Sequence, residues 1–191
     1  RYDDYIILIY GIRQIIKLEE FTIHYKITLL VCDNSLSEVK FAYDMEQLFP
    51  GEYEAHQYDM VGNFLYFNST TNTYASLSNY LTAYLICLDV KNGKIVWVTP
   101  PLTSNQDFAV YKDVIFCGYG FTDEDDFLFV VNRYTGEIIQ KIKLDSAPET
   151  MIVKGKKLYV RTYNRDYIFA IKEGMHYPDK MLPFHDCFFA R

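Results

Sequence analysis

The residues best suited to chemistry are an acidic run and a mixed aromatic and basic segment in the second half of the chain. Residues 122–126 (Thr-Asp-Glu-Asp-Asp) are the densest group of carboxylates, the oxygen ligands that calcium or a basic partner would prefer. The run lacks the Asp-x-Asp-x-Asp-Gly spacing of a calcium loop, which favours a solvated loop over a metal site. Residues 159–167 (Tyr-Val-Arg-Thr-Tyr-Asn-Arg-Asp-Tyr) suit sugar or peptide contacts, or packing between strands. The candidate ligand-contact residues are Asp123, Asp126, Arg161, Tyr163 and Arg165.

The four cysteines and four histidines show no catalytic or metal-binding spacing. No Cys-x-x-Cys pair occurs, whereas common zinc sites need such pairs to form a tetrahedron. Cys87 and Cys117 lie in apolar stretches, which predicts reduced, buried thiols; a disulfide between them is the alternative if the chain is exported. His185-Asp186-Cys187 has the residue types of a triad, but neighbours on a strand point to opposite faces. We therefore predict no catalytic residue, no metal and no cofactor.

The composition narrows the classes of partner. The chain has 191 residues, 17% of them aromatic, and a formal net charge of -6, so nucleic acid is not an expected partner. No apolar run approaches the roughly 20 residues that span a bilayer, and we expect no membrane span. The first residue is Arg1, so a signal peptide could have been removed. The compartment stays open: cytoplasmic, or extracytoplasmic after removal of a signal peptide.

The elements that carry these residues follow an internal repeat. Residues 86–97 align with 129–140 as an apolar strand, Asp or Asn, three residues, Gly and a second apolar strand. Gly93 and Gly136 stand 43 residues apart, and the same offset carries 114–117 onto 157–160. An Asx residue at the start and Gly at the end of each connection predict tight hairpin turns with Gly at positive φ.

Four short antiparallel strands every 40 to 45 residues or so are typical of a propeller blade. We therefore predict an all-β fold, a β-propeller of about four four-stranded antiparallel blades, complete or incomplete, in one domain over 1–191. A degenerate first blade covers 1–50, and clearer blades cover about 52–100, 105–143 and 148–175, before a tail at 176–191. Residues 70–84 form a long, protruding loop inserted in the second blade.

The run from Cys87 to Trp97, Cys-x-Asp-x-x-x-Gly-Lys-x-x-Trp, resembles a known docking motif. It is similar to the Ala-x-Asp-x-x-x-Gly-Lys-Glu-x-Trp pattern of the quinoprotein (pyrroloquinoline-quinone-dehydrogenase-like) β-propeller repeat. The resemblance implies that the motif residues of both copies join neighbouring blades: Asp89, Gly93, Trp97, Asn132 and Gly136. Quinone-binding members also carry a vicinal Cys-Cys pair and a Trp beneath the quinone. This sequence has no Cys-Cys pair, and its single Trp, Trp97, belongs to the docking motif. The resemblance therefore implies a non-catalytic member or a fragment.

These features together predict a non-enzymatic binding or scaffold module for a protein or a glycan. The alternative is a propeller enzyme, a lyase or hydrolase acting on a sugar-like substrate at a polar channel, because propellers support such chemistry with scattered residues. Its candidate residues are Asp123, Asp126, Arg133 and Arg161. Quinoprotein rings close with six to eight blades, so a homo-oligomer that completes the assembly is a further expectation.

Overall fold

The computed structural model describes residues 4–17, 22–50, 55–71, 73–172 and 187–190. These residues form fifteen strands in four antiparallel sheets, with one α-helical turn and one 3-10 turn. The prediction of an all-β chain built from about four antiparallel sheets is confirmed. Within the described residues, no helix is long and apolar enough to cross a membrane.

The sheets follow one another along the chain. Sheet 1 has three described strands, β1 (Tyr5–Lys17), β2 (Thr22–Asp33) and β3 (Val39–Asp44), followed by the turn α1 (Met45–Leu48). Sheet 2 comprises β4 (Tyr58–Val61), β5 (Phe64–Ser69), β6 (Tyr84–Asp89) and β7 (Lys94–Val98). Sheet 3 comprises β8 (Ala109–Tyr111), β9 (Val114–Tyr119), β10 (Phe127–Asn132) and β11 (Ile138–Lys143). Sheet 4 comprises β12 (Pro148–Lys154), β13 (Lys157–Thr162), β14 (Asp166–Ile171) and β15 (Cys187–Ala190).

One boundary differs from the expectation drawn from the sequence. Strand β15 comes from the predicted tail at 176–191 and pairs with β14 as the fourth strand of sheet 4. The remainder of that tail lies outside the described residues.

Every sheet presents apolar side chains on both faces, because successive residues of a strand point to opposite sides. We call the face toward the next sheet along the chain the forward face and the opposite one the back face. Leu65 and Leu88 on the back of sheet 2 pack against sheet 1, while Tyr66 and Cys87 on its forward face pack against sheet 3. Three apolar clusters therefore fill the junctions between sheets 1 and 2, 2 and 3, and 3 and 4.

Candidate functional site

The strands of sheets 2 to 4 have two distinct ends. At the turn end, short turns join the first strand to the second and, in sheets 2 and 3, the third strand to the fourth, through residues such as 90–93 and 133–137. At the loop end, the other connections join the second strand to the third and each sheet to the next, and they include residues 70–71, 73–83 and 120–126. The repeat motif lies at the turn end and the candidate ligand contacts lie toward the loop end.

At the turn end, Asp89 and Asn132 organise the two Asx turns. Oδ1 of Asp89 accepts a hydrogen bond from the N–H of Lys91 at 3.0 Å, and Oδ1 of Asn132 accepts one from Tyr134 at 2.9 Å. Each turn closes when the glycine N–H donates to the carbonyl of the Asx residue, at 2.8 and 2.9 Å. Gly93 and Gly136 have φ of 65° and 74°, the left-handed region that glycine adopts without a steric penalty.

The same turns join neighbouring sheets. The indole N–H of Trp97 in sheet 2 donates to the carbonyl of Arg133 in sheet 3 at 3.1 Å. The ring lies so close to Gly136 that a Cβ there would stand 2.7 Å from it. Phe41 of sheet 1 packs in the same way against Gly93 of sheet 2. These residues therefore pack neighbouring sheets against each other. Sequence reasoning missed the role of Phe41, because the repeat that contains Phe41 is degenerate.

At the loop end, Glu124 connects two loops. We call residues 70–71 and 73–83 the insertion loop and residues 120–126 the acidic loop. Oε1 of Glu124 accepts a hydrogen bond from the backbone N–H of Ala75 at 2.7 Å, and Oε2 accepts one from the Tyr119 hydroxyl. Burial and the Glu124 carboxylate both raise the pKa of Tyr119. The acidic run is therefore only partly a solvated loop: Asp123 and Asp125 are exposed, whereas Glu124 is half-buried and fixes the insertion loop.

The insertion loop protrudes while its base is buried. Ala75, Thr82 and Ala83 are at most 1% exposed, and the carbonyl of Thr82 accepts a hydrogen bond from Leu102 at 2.8 Å. Between these anchors the loop exposes large apolar side chains, and we call them the loop-tip patch. The exposures are 76% for Leu77, 57% for Tyr80 and 60% for Leu81.

The backbone of the patch is strained at two residues. Asn79 and Tyr80 have φ of 53° and 63°, a conformation that costs a residue with a side chain about 1 kcal/mol or more. Sequence reasoning predicted a protruding loop here but did not single out its apolar residues. The available signal is that Leu77 and Leu81 are apolar within a run of Thr, Ser and Asn.

An acidic cleft of about 480 Å³ lies where the loops of sheets 3 and 4 meet. It contains four carboxylates and two aromatic rings: Glu124, Asp126, Asp145, Glu149, Phe121 and Tyr163. Burial raises the pKa of Asp126, and a Cβ on Gly120 would overlap the carboxylate of Asp126. The ring of Tyr163 is 82% exposed. A second cleft of about 360 Å³ lies beside Glu124 and Tyr80, so the acidic loop links the acidic cleft to the loop-tip patch.

The remaining predicted contact residues divide between two surfaces. Arg165 pairs with Asp145, which places it at the rim of the acidic cleft. Arg161 pairs with Asp166, Nη2 to Oδ2 at 3.0 Å, across the forward face of sheet 4. The structure thus brings Asp126, Tyr163 and Arg165 together, leaves Asp123 on the adjoining loop, and places Arg161 on the sheet.

The four residues considered for an enzyme do not converge. Asp126 precedes β10 and Arg133 follows it, and six strand residues separate two groups by about 20 Å at ~3.3 Å per residue. Asp123 is exposed, and Arg161 is engaged with Asp166. Within the described part of the chain, no group of three His, Cys, Asp or Glu side chains could hold a metal ion.

Cys32, Cys87 and Cys117 are buried free thiols. Cys87 and Cys117 belong to the same apolar cluster between sheets 2 and 3. Burial raises the pKa of Cys87 to about 12 and raises that of Cys117 further. Both thiols therefore stay protonated near neutral pH and pack as small apolar groups.

Comparison with solved structures agrees with this architecture. The crystal structure of the computationally designed Ika4 protein, a β-propeller, matches with a TM-score of 0.55 at 11% identity, over 78% of this chain and 84% of that one. BamB from Moraxella catarrhalis matches with a TM-score of 0.48 at 16% identity, over 77% of this chain and 43% of BamB. A europium-containing methanol dehydrogenase matches with a TM-score of 0.41 at 16% identity, over 63% of this chain and 23% of the enzyme.

No family model matches the chain, and no curated protein matches it in sequence. At such low identity the likeness to solved structures concerns the fold alone. The four stacked antiparallel sheets and the match to the designed propeller agree: the described residues form an all-β chain with the architecture of a β-propeller, and an incomplete propeller fits.

Proposed function

We propose that this chain is a non-enzymatic β-propeller module, similar to quinoprotein propellers, that binds a protein partner at its loop end. The observation that carries the proposal is the loop-tip patch, in which Leu77, Tyr80 and Leu81 are exposed on a loop with a buried base. Exposed apolar groups are a feature of protein-binding surfaces, and anchoring at the base reduces the conformational entropy that the loop loses on binding.

The negative charge around the patch indicates the charge of the partner. Glu124 lines both clefts, and the acidic cleft adds Asp126, Asp145 and Glu149. The whole chain has a formal net charge of -6. An apolar patch beside clustered carboxylates fits a polypeptide that presents leucine or phenylalanine next to lysine or arginine. The exposed ring of Tyr163 supplies additional contact area at low entropic cost.

The test uses defined probes. Wild-type protein is applied to immobilised 15-residue peptides that combine Leu and Phe with Lys and Arg, to matched peptides with Glu in place of the basic residues, and to a glycan array. We expect binding to the apolar basic peptides and loss of that binding in Leu77→Ser/Leu81→Ser. The control is Leu36→Ser/Val39→Ser, whose positions are 56% and 53% exposed on sheet 1 and its turn, and it should bind like wild type.

Two results would overturn the proposal. Equal binding to basic and acidic peptides would overturn the basic partner, and equal loss of binding in the two double variants would overturn the loop end as the site. Binding to glycans alone, reduced by Tyr163→Ala and unaffected at Leu77 and Leu81, would replace the protein partner by a sugar in the acidic cleft.

A further inference from the structure

The forward faces of sheets 2, 3 and 4 repeat one feature at their centres. An aromatic residue on the second strand is paired across the sheet with an aliphatic residue or cysteine on the third: Tyr66 with Cys87, Phe116 with Val130, and Tyr159 with Ile168. The first two pairs are at most 1% exposed, because the following sheet covers them. In sheet 4 the equivalent Ile168 is 45% exposed, and Ile152, which pairs with the other side of Tyr159, is 59% exposed. No described residue covers this face, which contains a groove of about 530 Å³.

The back faces repeat a complementary feature. Apolar pairs on the second and third strands lie against the preceding sheet: Leu65 with Leu88 in sheet 2, Ile115 with Val131 in sheet 3, and Leu158 with Phe169 in sheet 4. All six side chains are at most 2% exposed. In sheet 1, the back face presents Ile6, Leu8, Tyr10 and Leu30, with Leu8 paired to Leu30. Leu8 is 41% exposed and Tyr10 is 51% exposed.

Among the described residues, nothing covers the forward face of sheet 4 or the back face of sheet 1. Every described junction in the molecule joins a forward face to a back face. We propose that the forward face of sheet 4 packs on the back face of sheet 1 of a second copy of this chain. Two copies joined in this way form two identical junctions and close a ring of eight sheets, within the range of four to eight blades or so that propellers adopt.

One set of opposite charges near these faces fits that pairing. Lys154 and Lys157 are exposed at the turn end of sheet 4, on the strand positions that belong to its forward face. Asp4 is exposed two residues before Ile6 of the back face, at the end of sheet 1 where β2 turns into β3 and where Phe41 packs on the Gly93 turn. When sheets stack with their turn ends together, as Trp97 and Gly136 show for sheets 2 and 3, these lysines approach that carboxylate. The Arg161–Asp166 pair borders the opposite side of the groove.

The experiment measures the mass of the protein in solution by light scattering and sedimentation equilibrium. We expect the wild-type chain to have twice the mass of the 22.5 kDa protomer. Ile168→Lys and Leu8→Lys should each give the protomer mass, because each change disrupts both junctions of the ring. The matched control is Val96→Lys on the edge strand of sheet 2, where the wild-type side chain is 46% exposed, and it should keep the doubled mass.

Mixing the two monomeric variants tests the head-to-tail arrangement. The Leu8→Lys chain keeps its sheet 4 face and the Ile168→Lys chain keeps its sheet 1 face, so the mixture should form a heterodimer through one intact junction. Circular dichroism and urea midpoints test whether both variants are folded. If Ile168→Lys is not folded, Tyr159→Lys is used in its place. A wild-type protomer mass at every concentration would overturn the proposal. A doubled mass that survives Leu8→Lys would also overturn it, because sheet 4 would then pair with its own copy.

Discussion

Gly136 shows at the scale of one residue how a turn and a sheet junction depend on each other. Its φ of 74° excludes a strain-free side chain, and the space above it is filled by the ring of Trp97. We expect Gly136→Ala to lower the free energy of unfolding by about 2–4 kcal/mol, from left-handed strain and from overpacking against the indole. Urea unfolding followed by fluorescence measures the change.

Gly155→Ala is the matched control for this prediction. Gly155 has a similar φ of 61°, yet a Cβ there would meet nothing within 4 Å, so only the strain of about 1 kcal/mol remains. In a Trp97→Ala background, Gly136→Ala should cost no more than Gly155→Ala. Equal losses for the two glycines in the wild-type background would show that the contact with Trp97 contributes nothing.

The Cys87 thiol predicts a dependence of stability on alkaline pH. Its pKa rises on folding from 9.0 to about 12, mainly through burial. Between pH 9 and 12 the unfolded thiol loses its proton while the folded thiol keeps it, so this contribution to stability falls as pH rises. The slope approaches about 1.4 kcal/mol per pH unit. We expect Cys87→Val, which places at this position the residue found at the equivalent Val130, to reduce the loss.

The measurement is the urea midpoint of both proteins at pH 8, 9, 10 and 11 under reducing conditions. Tyrosines of the unfolded chain lose their protons near pH 10 and contribute to both curves. The difference between wild type and Cys87→Val therefore reports the thiol together with the Tyr66 hydroxyl that interacts with it. Parallel curves would mean that the Cys87 thiol ionises alike in the folded and unfolded chains.

The insertion loop is stabilised by a hydrogen bond from a neighbouring part of the structure. Its 3-10 turn, Ala75–Ser78, has no hydrogen bond from a capping side chain. The first N–H of the turn donates instead to Glu124 of the acidic loop. We expect Glu124→Ala to lower the free energy of unfolding by about 1–3 kcal/mol, since the Tyr119 hydroxyl and the Ala75 N–H lose their acceptor.

Hydrogen exchange locates that effect. The amides of Leu77, Asn79, Tyr80 and Leu81 bond within the loop, and their exchange should accelerate in Glu124→Ala. Asp123→Ala, an exposed position on the same acidic loop, serves as the control and should leave exchange unchanged. Unaltered exchange in Glu124→Ala would show that the insertion loop is held by its base alone.

At the scale of the whole molecule, stability should follow position in the stack. Sheet 3 is covered on both faces, and Val114, Ile115 and Phe116 are fully buried, whereas the forward face of sheet 4 is exposed. In stacked repeats each unit is stabilised by its neighbours. We expect amides of β9 and β10 to exchange more slowly than those of β13 and β14 in the monomeric Ile168→Lys variant. Equal rates across both sheets would mean that the stack unfolds only as one cooperative unit.

The sequence by itself determined the repeating unit. The 43-residue offset, the Asx and Gly turns and the alternating apolar strands depend on local chemistry, so they predicted the sheets, the hairpins and the propeller architecture. The same local patterns predicted that residues 70–84 protrude and that Asp126 lies on a loop. Residues 1–50 gave a weaker signal because Leu36 and its neighbours replace the glycine turn found at Gly93 and Gly136.

Only the tertiary structure decided which of these residues meet. Asp126, Asp145 and Tyr163 share one cleft because loops of sheets 3 and 4 converge there, while Arg133 lies at the far end of β10. The hydrogen bond from the Ala75 N–H to Glu124 joins positions 49 residues apart, and no spacing in the sequence predicts such a contact. The physical reason is that strand periodicity sets the face on which a side chain lies, whereas the stacking of sheets sets what stands opposite it.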